Sequence, residues 1–186
     1  MNKIKFKTSG ELFPQLKDKS DTNRFLNFIK VDDLRTFARE CLKKANHEIT
    51  EYENKVAEIA MDLLIRKELL SPDNHQTYVD ALLVAAMLHD IYFDEEKMST
   101  SLFKAREEFD EIADMDELYE YGAIPEQFRE MVWDTIEGQL GDCTPMAKTK
   151  PSPNSPQDLF ATAVFITRLG WKWFFEEVEA EEDKAE

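Results

Sequence analysis

Cysteine, glycine and proline are all scarce in this chain of 186 residues. Cys41 and Cys143 are the two cysteines, and there are five glycines and seven prolines. Two cysteines cannot build a disulfide scaffold, and neither belongs to a Cys-x-x-Cys pair of the kind that binds metals, so we expect two reduced thiols in a cytosolic protein. The few glycines and prolines argue against collagen-like, low-complexity and many-turned all-β folds.

The sequence also lacks any long hydrophobic run. No stretch of 18 apolar residues is present, so no segment is expected to span a membrane. The first seven residues carry three lysines but are not followed by the apolar region of a signal peptide. We therefore expect a soluble protein of the cytoplasm, or of the host cytoplasm if a phage encodes it.

Basic residues are outnumbered by acidic ones, 23 to 39, which gives a formal net charge of −16. Phosphate backbones and anionic membranes repel such a surface unless a basic patch is segregated from the rest. Direct nucleic-acid binding is therefore not expected. The same charge leaves open a protein that imitates nucleic acid and occupies a basic cleft of its partner.

Charge is distributed unevenly along the chain and suggests three parts. Residues 1–30 contain seven basic and three acidic residues, and Ile4 and Phe6 alternate with lysines there, which predicts a short extended N-terminal arm that packs on the acidic body. Residues 176–186 contain seven acidic residues and one lysine, typical of a solvated acidic tail. Residues 31–175 lie between them and should form the folded domain.

Apolar residues recur at helical spacing through this central part. The pattern predicts a helix that is capped by Asp32 and runs through Leu42, and helices over about 49–70, 78–92, 99–121, 125–140 and 156–175. Residues 78–92 are apolar nearly all round, so this helix should be central and buried. Residues 142–156 contain four prolines and should form a loop. The predicted fold class is an all-α bundle.

Four segments carry a resemblance to a known family. The apolar segment 85–91, AAMLHDI, ends in His89 and Asp90, and this pair resembles the signature of the HD-domain metal-dependent phosphohydrolases. Residues 56–64, VAEIAMDLL, resemble the helix with the family's first histidine. Residues 136–141, IEGQLG, resemble an Ile-Glu-Ser-His-Met-Gly motif of a phage and bacterial branch, and residues 150–160, KPSPNSPQDLF, resemble its proline-rich loop. The resemblance covers about residues 31–172 and implies an HD-like helical bundle.

The resemblance also implies which residues would hold the metal. In the family, histidines and aspartates bind one or two divalent ions such as Mg, Mn, Fe or Ni, and the metal activates a water that attacks a phosphate. Carried over to this chain, the first histidine falls on Tyr52, the pair on His89 and Asp90, the later histidine on Gln139 and the final aspartate on Val164. Tyr52, Gln139 and Val164 cannot replace the ligands they stand for. His89 and Asp90 would then be a vestigial metal site in a degenerate pocket, with no cofactor.

Other side chains could in principle restore a metal site. Four carboxylates follow the His89–Asp90 pair or the segment 136–141, namely Asp94, Glu95, Glu96 and Asp142. They could form an oxygen-rich Mg²⁺ or Ca²⁺ site, or they could belong to a solvated acidic turn.

The remaining two histidines are weaker candidates for the missing ligands. His47 lies five residues before Tyr52, which would put the two on different faces of a helix, and His75 lies fourteen residues before His89.

Three functions remain open on these observations. The favoured interpretation is a non-catalytic HD-fold protein that binds or regulates an unidentified protein partner, and that is phage-encoded and interacts with the host. The first alternative is a divergent metal-dependent phosphohydrolase that acts on nucleotides. The second is the acidic inhibitor that imitates nucleic acid. The aromatic cluster Trp171, Trp173, Phe174 and Phe175 would either dock the last helix on the core or serve as a partner-binding patch.

Overall fold

The computed structural model describes residues 7–94, 99–100, 102–119, 125–138 and 152–170. Within these ranges the chain is helical, which confirms the predicted all-α fold class. The α-helices are α1 (Ser9–Leu12), α2 (Arg24–Phe28), α3 (Asp32–Lys44), α4 (Glu51–Arg66), α5 (Thr77–Leu88), α6 (Leu102–Ala113), α7 (Glu126–Gly138) and α8 (Pro156–Leu169). Short 3₁₀ helices cover Pro14–Leu16 and Asp116–Leu118, and two two-residue strands, β1 (Phe93–Asp94) and β2 (Ser99–Thr100), pair antiparallel between α5 and α6.

Helix α5 is the centre of the bundle, as its apolar sequence predicts. Every residue from Val79 to Leu88 is buried, and the helix contacts α3, α4, α7 and α8. The helix ends at Leu88, four residues before the predicted end at Tyr92. The His89 side chain bonds the carbonyl oxygen of Ala86 there, which occupies an acceptor of the last turn. His89 and Asp90 therefore lie just beyond the helix rather than within it.

Helices α3 and α4 bury the faces that their periodicity indicates. On α3 these residues are Leu34, Phe37, Ala38, Cys41 and Leu42, and burial raises the pKa of the Cys41 thiol well above its usual value. Val31 is the N-cap of α3, so Asp32 belongs to the first turn instead of capping the helix as expected. An acidic first turn still stabilises the helix because it faces the positive end of the helix dipole.

The N-terminal segment is part of the core from residue 9 onward. Residues 1–6, including Ile4 and Phe6 of the expected extended arm, lie outside the described residues. Residues 9–28 are mostly helical, and Phe25 and Ile29 are each only 1% exposed. The boundary expected at residue 30 therefore does not coincide with an edge of the hydrophobic core.

A buried carboxylate joins this segment to the central helix. Asp80, in the first turn of α5, is fully buried, and its Oδ2 accepts hydrogen bonds from the backbone N–H groups of Lys30 (3.1 Å) and Val31 (2.9 Å). Its Oδ1 lies 2.6 Å from Nε2 of His75. Because a buried carboxylate needs several partners to offset its lost hydration, this network fixes the α2–α3 connection against α5.

Helix α8, the last helix of the described residues, begins where the sequence predicts. The Ser155 hydroxyl accepts a hydrogen bond from the N–H of Asp158, and Pro156 occupies the first helical position. The helix ends at Leu169, where Gly170 has a φ of 87°. Helix α8 packs against α4 and α7. None of the helices in the described part of the chain is both long enough and apolar enough to cross a membrane.

Candidate functional site

A surface pocket of about 510 Å³ lies beside His89 and Asp90. It forms where the loop before α4 and the start of α4 meet the residues after α5 and the end of α8. We call it the α4 pocket, and it is lined by His47, Thr50, Tyr52, Glu53, Asp90, Ile91 and Arg168. Its volume falls in the range of sites for small molecules.

His89 lies beneath the floor of this pocket. Its side chain is completely buried, and Nδ1 donates to the carbonyl oxygen of Ala86 at 2.8 Å. Because a carbonyl oxygen only accepts, Nδ1 carries a proton. The ring lies between Tyr52, at a centroid distance of 5.8 Å, and Phe160, at 5.5 Å. The imidazole is therefore held by one hydrogen bond and by two aromatic neighbours.

Asp90 lies next to the other nitrogen of the same ring. Its Oδ2 is 3.3 Å from Nε2 of His89, although the two are not aligned as a hydrogen bond, and Nε2 has no hydrogen-bond partner in the described residues. The Asp90 side chain is 22% exposed and faces the α4 pocket. The structure thus brings the predicted pair into contact, with only the carboxylate reaching solvent.

Tyr52 contacts His89, and Val164 lies on α8 near Phe160, a residue that also does. The Tyr52 ring packs on His89, and its hydroxyl accepts a hydrogen bond from Nε of Arg168 at 3.1 Å. Val164 is buried on α8, one turn beyond Phe160, which contacts the His89 ring. Of the positions that the resemblance would assign to metal ligands, Tyr52 contributes an aromatic ring and Val164 a buried aliphatic side chain.

Several predicted site residues fall on parts of the chain that are not described. Gln139, Glu95, Glu96 and Asp142 lie outside the described residues, and for Asp94 only the backbone pairing of β1 with β2 is described. The aromatic cluster that begins at Trp171 also lies outside.

The described donor atoms do not fit a catalytic metal ion. His89 offers one buried nitrogen and Asp90 one carboxylate, whereas a catalytic zinc site uses three protein ligands and an open position. In the described ranges no three His, Cys, Asp or Glu side chains come together in a way that could hold a metal ion. No step of a metal-dependent reaction can be derived from this arrangement.

His47 is a site residue that the sequence analysis set aside. Its Nε2 lies 2.7 Å from Oε1 of Glu53, a carboxylate that is only 2% exposed. The argument that places His47 on a different face from Tyr52 holds only for a helix through residues 47–52, and it does not apply because α4 begins at Glu51. The preceding loop turns back and brings His47 to the α4 pocket.

A capping box fixes this local geometry. Glu53 Oε2 accepts from the backbone N–H of Thr50 at 2.7 Å, and the Thr50 hydroxyl accepts from the N–H of Glu53. A Thr-x-x-Glu sequence before an apolar helix is a recognisable start signal. It would have placed the helix start at Glu51 and left His47 in the loop.

The charges of the α4 pocket are largely paired with one another. The hydrogen bond to Glu53 raises the pKa of His47, the negative charges of Glu53 and Asp90 add to this effect, and burial opposes it. Arg168 donates to Tyr52 at the mouth of the pocket. The arrangement resembles a polar surface site held by internal contacts, and it lacks the aligned nucleophile and base of a hydrolytic site among its lining residues.

Comparisons with protein-family models, with curated proteins and with solved structures find no match to this chain.

Proposed function

We propose that this protein acts by binding rather than by catalysis, as a helical binding or regulatory module on an HD-like scaffold. The observation that carries the proposal is the state of His89. Its side chain has no exposed surface, and the rings of Tyr52 and Phe160 lie 5.8 and 5.5 Å from it. Nδ1 donates to Ala86, so Nε2 is the nitrogen left to bind a metal, and this atom is buried with no surface open to an ion.

The residues around His89 support the same proposal. Tyr52 and Val164 contribute a ring and an aliphatic side chain where the resemblance would require ligands. The carboxylate of Glu53 is buried and already accepts bonds from Thr50 and His47. Several residues that line the α4 pocket are therefore hydrogen-bonded to one another: His47 and Thr50 to Glu53, and Arg168 to Tyr52. Such a network suits a rigid binding surface better than a reaction centre.

The partner in this proposal is another protein. The resemblance to a phage and bacterial branch extends the proposal to a phage-encoded protein that binds a protein of its host.

A divergent phosphohydrolase is the second candidate, and one observation favours it. The Nε2 atom of His89 has no aligned hydrogen-bond partner in the described residues, and it lies 3.3 Å from a carboxylate that borders a pocket of about 510 Å³. Such an orphaned nitrogen could bind an ion if the Asp90 side chain moved aside.

Metal binding and nucleotide hydrolysis distinguish the two candidates. The full chain is purified, incubated with Mn²⁺, Ni²⁺ or Mg²⁺, and examined by native mass spectrometry and by phosphate release from nucleoside triphosphates. We expect no stoichiometric metal and no hydrolysis above that of buffer. A metal bound at one ion per chain that is lost in Asp90→Ala and kept in Asp134→Ala, which changes an exposed aspartate of α7, would establish the phosphohydrolase instead.

A further inference from the structure

A second concave surface lies between α2 and α3, on the other side of His47. It has a volume of about 480 Å³, and we call it the α2–α3 groove. It is lined by Thr22, Asn23, Leu26, Asn27, Arg39, Leu42, Lys43, His47, Glu48 and Ile49. Neither the resemblance nor the proposed function assigns a role to this groove.

The floor of the groove is apolar. Leu26, Leu42 and Ile49 are all at least nine-tenths buried and come from α2, from α3 and from the loop before α4. Three aliphatic side chains that converge below an open surface can hold the apolar body of a ligand, because such a ligand removes further apolar area from water.

The walls of the groove carry an excess of positive charge. Arg39 and Lys43 lie four residues apart on α3 and therefore on the same helix face, and His47 follows them. Glu48 is the single acidic residue of the lining. A local excess of cations is unusual on a chain with a net charge of −16, where most of the surface must be acidic.

Arg39 is the cation best placed to meet a ligand. Its side chain is exposed, its guanidinium donates a long hydrogen bond of 3.4 Å to Oδ1 of Asn27, and it forms no ion pair with a described carboxylate. Lys43, in contrast, lies 2.5 Å from the carboxylate of Glu40. The guanidinium fork can donate two parallel hydrogen bonds to a carboxylate or a phosphate, so Arg39 is suited to orient an anionic group.

We propose that the α2–α3 groove binds a small organic anion, with its carboxylate or phosphate on Arg39 and Lys43 and its apolar body on Leu26, Leu42 and Ile49. This inference does not depend on the proposed function, since Arg39, Lys43 and the three apolar residues do not line the α4 pocket, although His47 borders both surfaces.

The net charge of the chain favours a small ligand over an acidic macromolecule. At physiological ionic strength a small anion interacts mainly with charges within about 8 Å. In the groove Glu48 is acidic, Lys43 is paired with Glu40 and His47 with Glu53, so Arg39 is the lining cation without an ion pair to a described carboxylate. An acidic polypeptide would cover more of the surface and would meet the overall charge of −16.

The test follows the amide resonances of the full chain by NMR during titration with defined probes. Benzoate and phenyl phosphate carry both an anion and an apolar ring, whereas benzyl alcohol lacks the anion and inorganic phosphate lacks the ring. We expect saturable shifts at groove residues with the first two probes and binding about tenfold weaker with the other two, because the loss of one charge-assisted hydrogen bond or of one buried ring has about that effect.

Three variants locate the binding site. Arg39→Gln should weaken binding of benzoate about tenfold, since a hydrogen bond to a charged group is lost. Lys67→Gln, which changes an exposed lysine away from the groove, should leave it unchanged. Arg168→Gln changes the cation of the α4 pocket, and a loss of binding in this variant alone would place the anion there and overturn the proposal.

Other outcomes would also overturn it. Equal binding of benzyl alcohol and benzoate would show a purely apolar site. Binding of oligoglutamate without binding of benzoate or phenyl phosphate would show a surface for acidic peptides. No saturable shift with any probe would show that the groove has no ligand of this class. Circular dichroism of Arg39→Gln checks that the variant is folded, which its exposed position predicts.

Discussion

Helix α5 has a histidine and an aspartate at each end, and the two pairs differ in what surrounds them. At the first end, Asp80 is fully buried and accepts two backbone N–H groups and a contact from His75. At the last end, Asp90 is partly exposed, contacts His89 and borders the α4 pocket. The same two residue types thus form a structural junction in one place and a solvent-facing site in the other.

The difference shows that residue types alone do not identify a functional pair. What matters is whether solvent reaches the carboxylate, and it reaches Asp90 but not Asp80. The buried end satisfies its carboxylate with protein groups and leaves no room for a ligand, as expected for a charge taken out of water. The open end keeps a carboxylate at the edge of a pocket. The comparison predicts a large difference in stability when each end is altered.

Asp80→Ala should have the largest effect on stability. The substitution leaves the backbone N–H groups of Lys30 and Val31 and the buried His75 ring without their acceptor, so the free energy of unfolding should fall by roughly 3–5 kcal/mol. Urea denaturation followed by circular dichroism measures this loss. Asp80→Asn keeps one acceptor oxygen at the same volume and should lose less. A loss below about 1 kcal/mol for Asp80→Ala would mean that the junction is not important for stability.

Leu83→Ala tests the apolar middle of α5, between its two ends. Leu83 is fully buried, so we expect a loss of about 2–5 kcal/mol from lost burial and the cavity that remains. Leu169→Ala is the matched control, because this leucine is 58% exposed and its truncation should change stability by less than about 0.5 kcal/mol. A loss below about 0.5 kcal/mol for Leu83→Ala as well would contradict the central position of the helix.

Apolar patterning was enough to predict the six long helices, because five of them have an apolar face and α5 is apolar nearly all round. The ends of these helices were harder to predict, since local side-chain bonds set them. The capping box of Thr50 and Glu53 sets the start of α4 at Glu51, two residues after the predicted start. Helix α5 ends four residues before its predicted end, where the His89 side chain bonds to Ala86. Charge and alternation of apolar residues suggested an arm at the N-terminus, but residues 9–28 are largely helical. Helices of four or five residues are not stable alone, so only packing of residues such as Phe25 explains them.

The candidate site could be predicted only in part, because some of its contacts come from loops and not from the long helices. The resemblance singled out Tyr52, His89 and Asp90, and these three are in contact because they lie on long helices or directly after one. Val164 is buried on α8. Contacts through loops were missed. His47 reaches Glu53 from a loop. The backbone N–H groups of residues 30 and 31 donate to Asp80, and the only sign of this in the sequence is one carboxylate in an apolar helix.

His47→Gln should change how stability depends on pH at the open end. Contact with Glu53 raises the pKa of His47 in the folded state above its unfolded value of about 6.5, so protonation favours the folded protein. This contribution is fully present below about pH 6.5 and is lost as the pH rises through the folded pKa. The wild type should therefore lose stability over that interval, and His47→Gln should lose less.

Glu53→Gln is the control for this pH dependence. It removes the charge while an amide oxygen remains to accept the N–H of Thr50. Because Glu53 is the main cause of the raised pKa, this variant should show the same weakened pH dependence as His47→Gln. Urea midpoints measured at several pH values from below 6.5 upward report both variants. Equal pH dependence in all three proteins would show that Asp90 or another group controls it.

Asp90→Ala should have the smallest effect and completes the comparison with Asp80. The Asp90 side chain is 22% exposed, so water can replace much of what its carboxylate contacts, and the loss of stability should be less than about 1 kcal/mol. The His89 ring keeps its bond to Ala86 and its contacts with Tyr52 and Phe160, which hold it without the carboxylate. If the proposed function is correct, Mn²⁺ should raise the melting temperature of neither wild type nor Asp90→Ala, because a ligand stabilises a fold only when it binds the folded state. A metal-dependent rise in the wild type that disappears in Asp90→Ala would instead make the open end of α5 a working metal site.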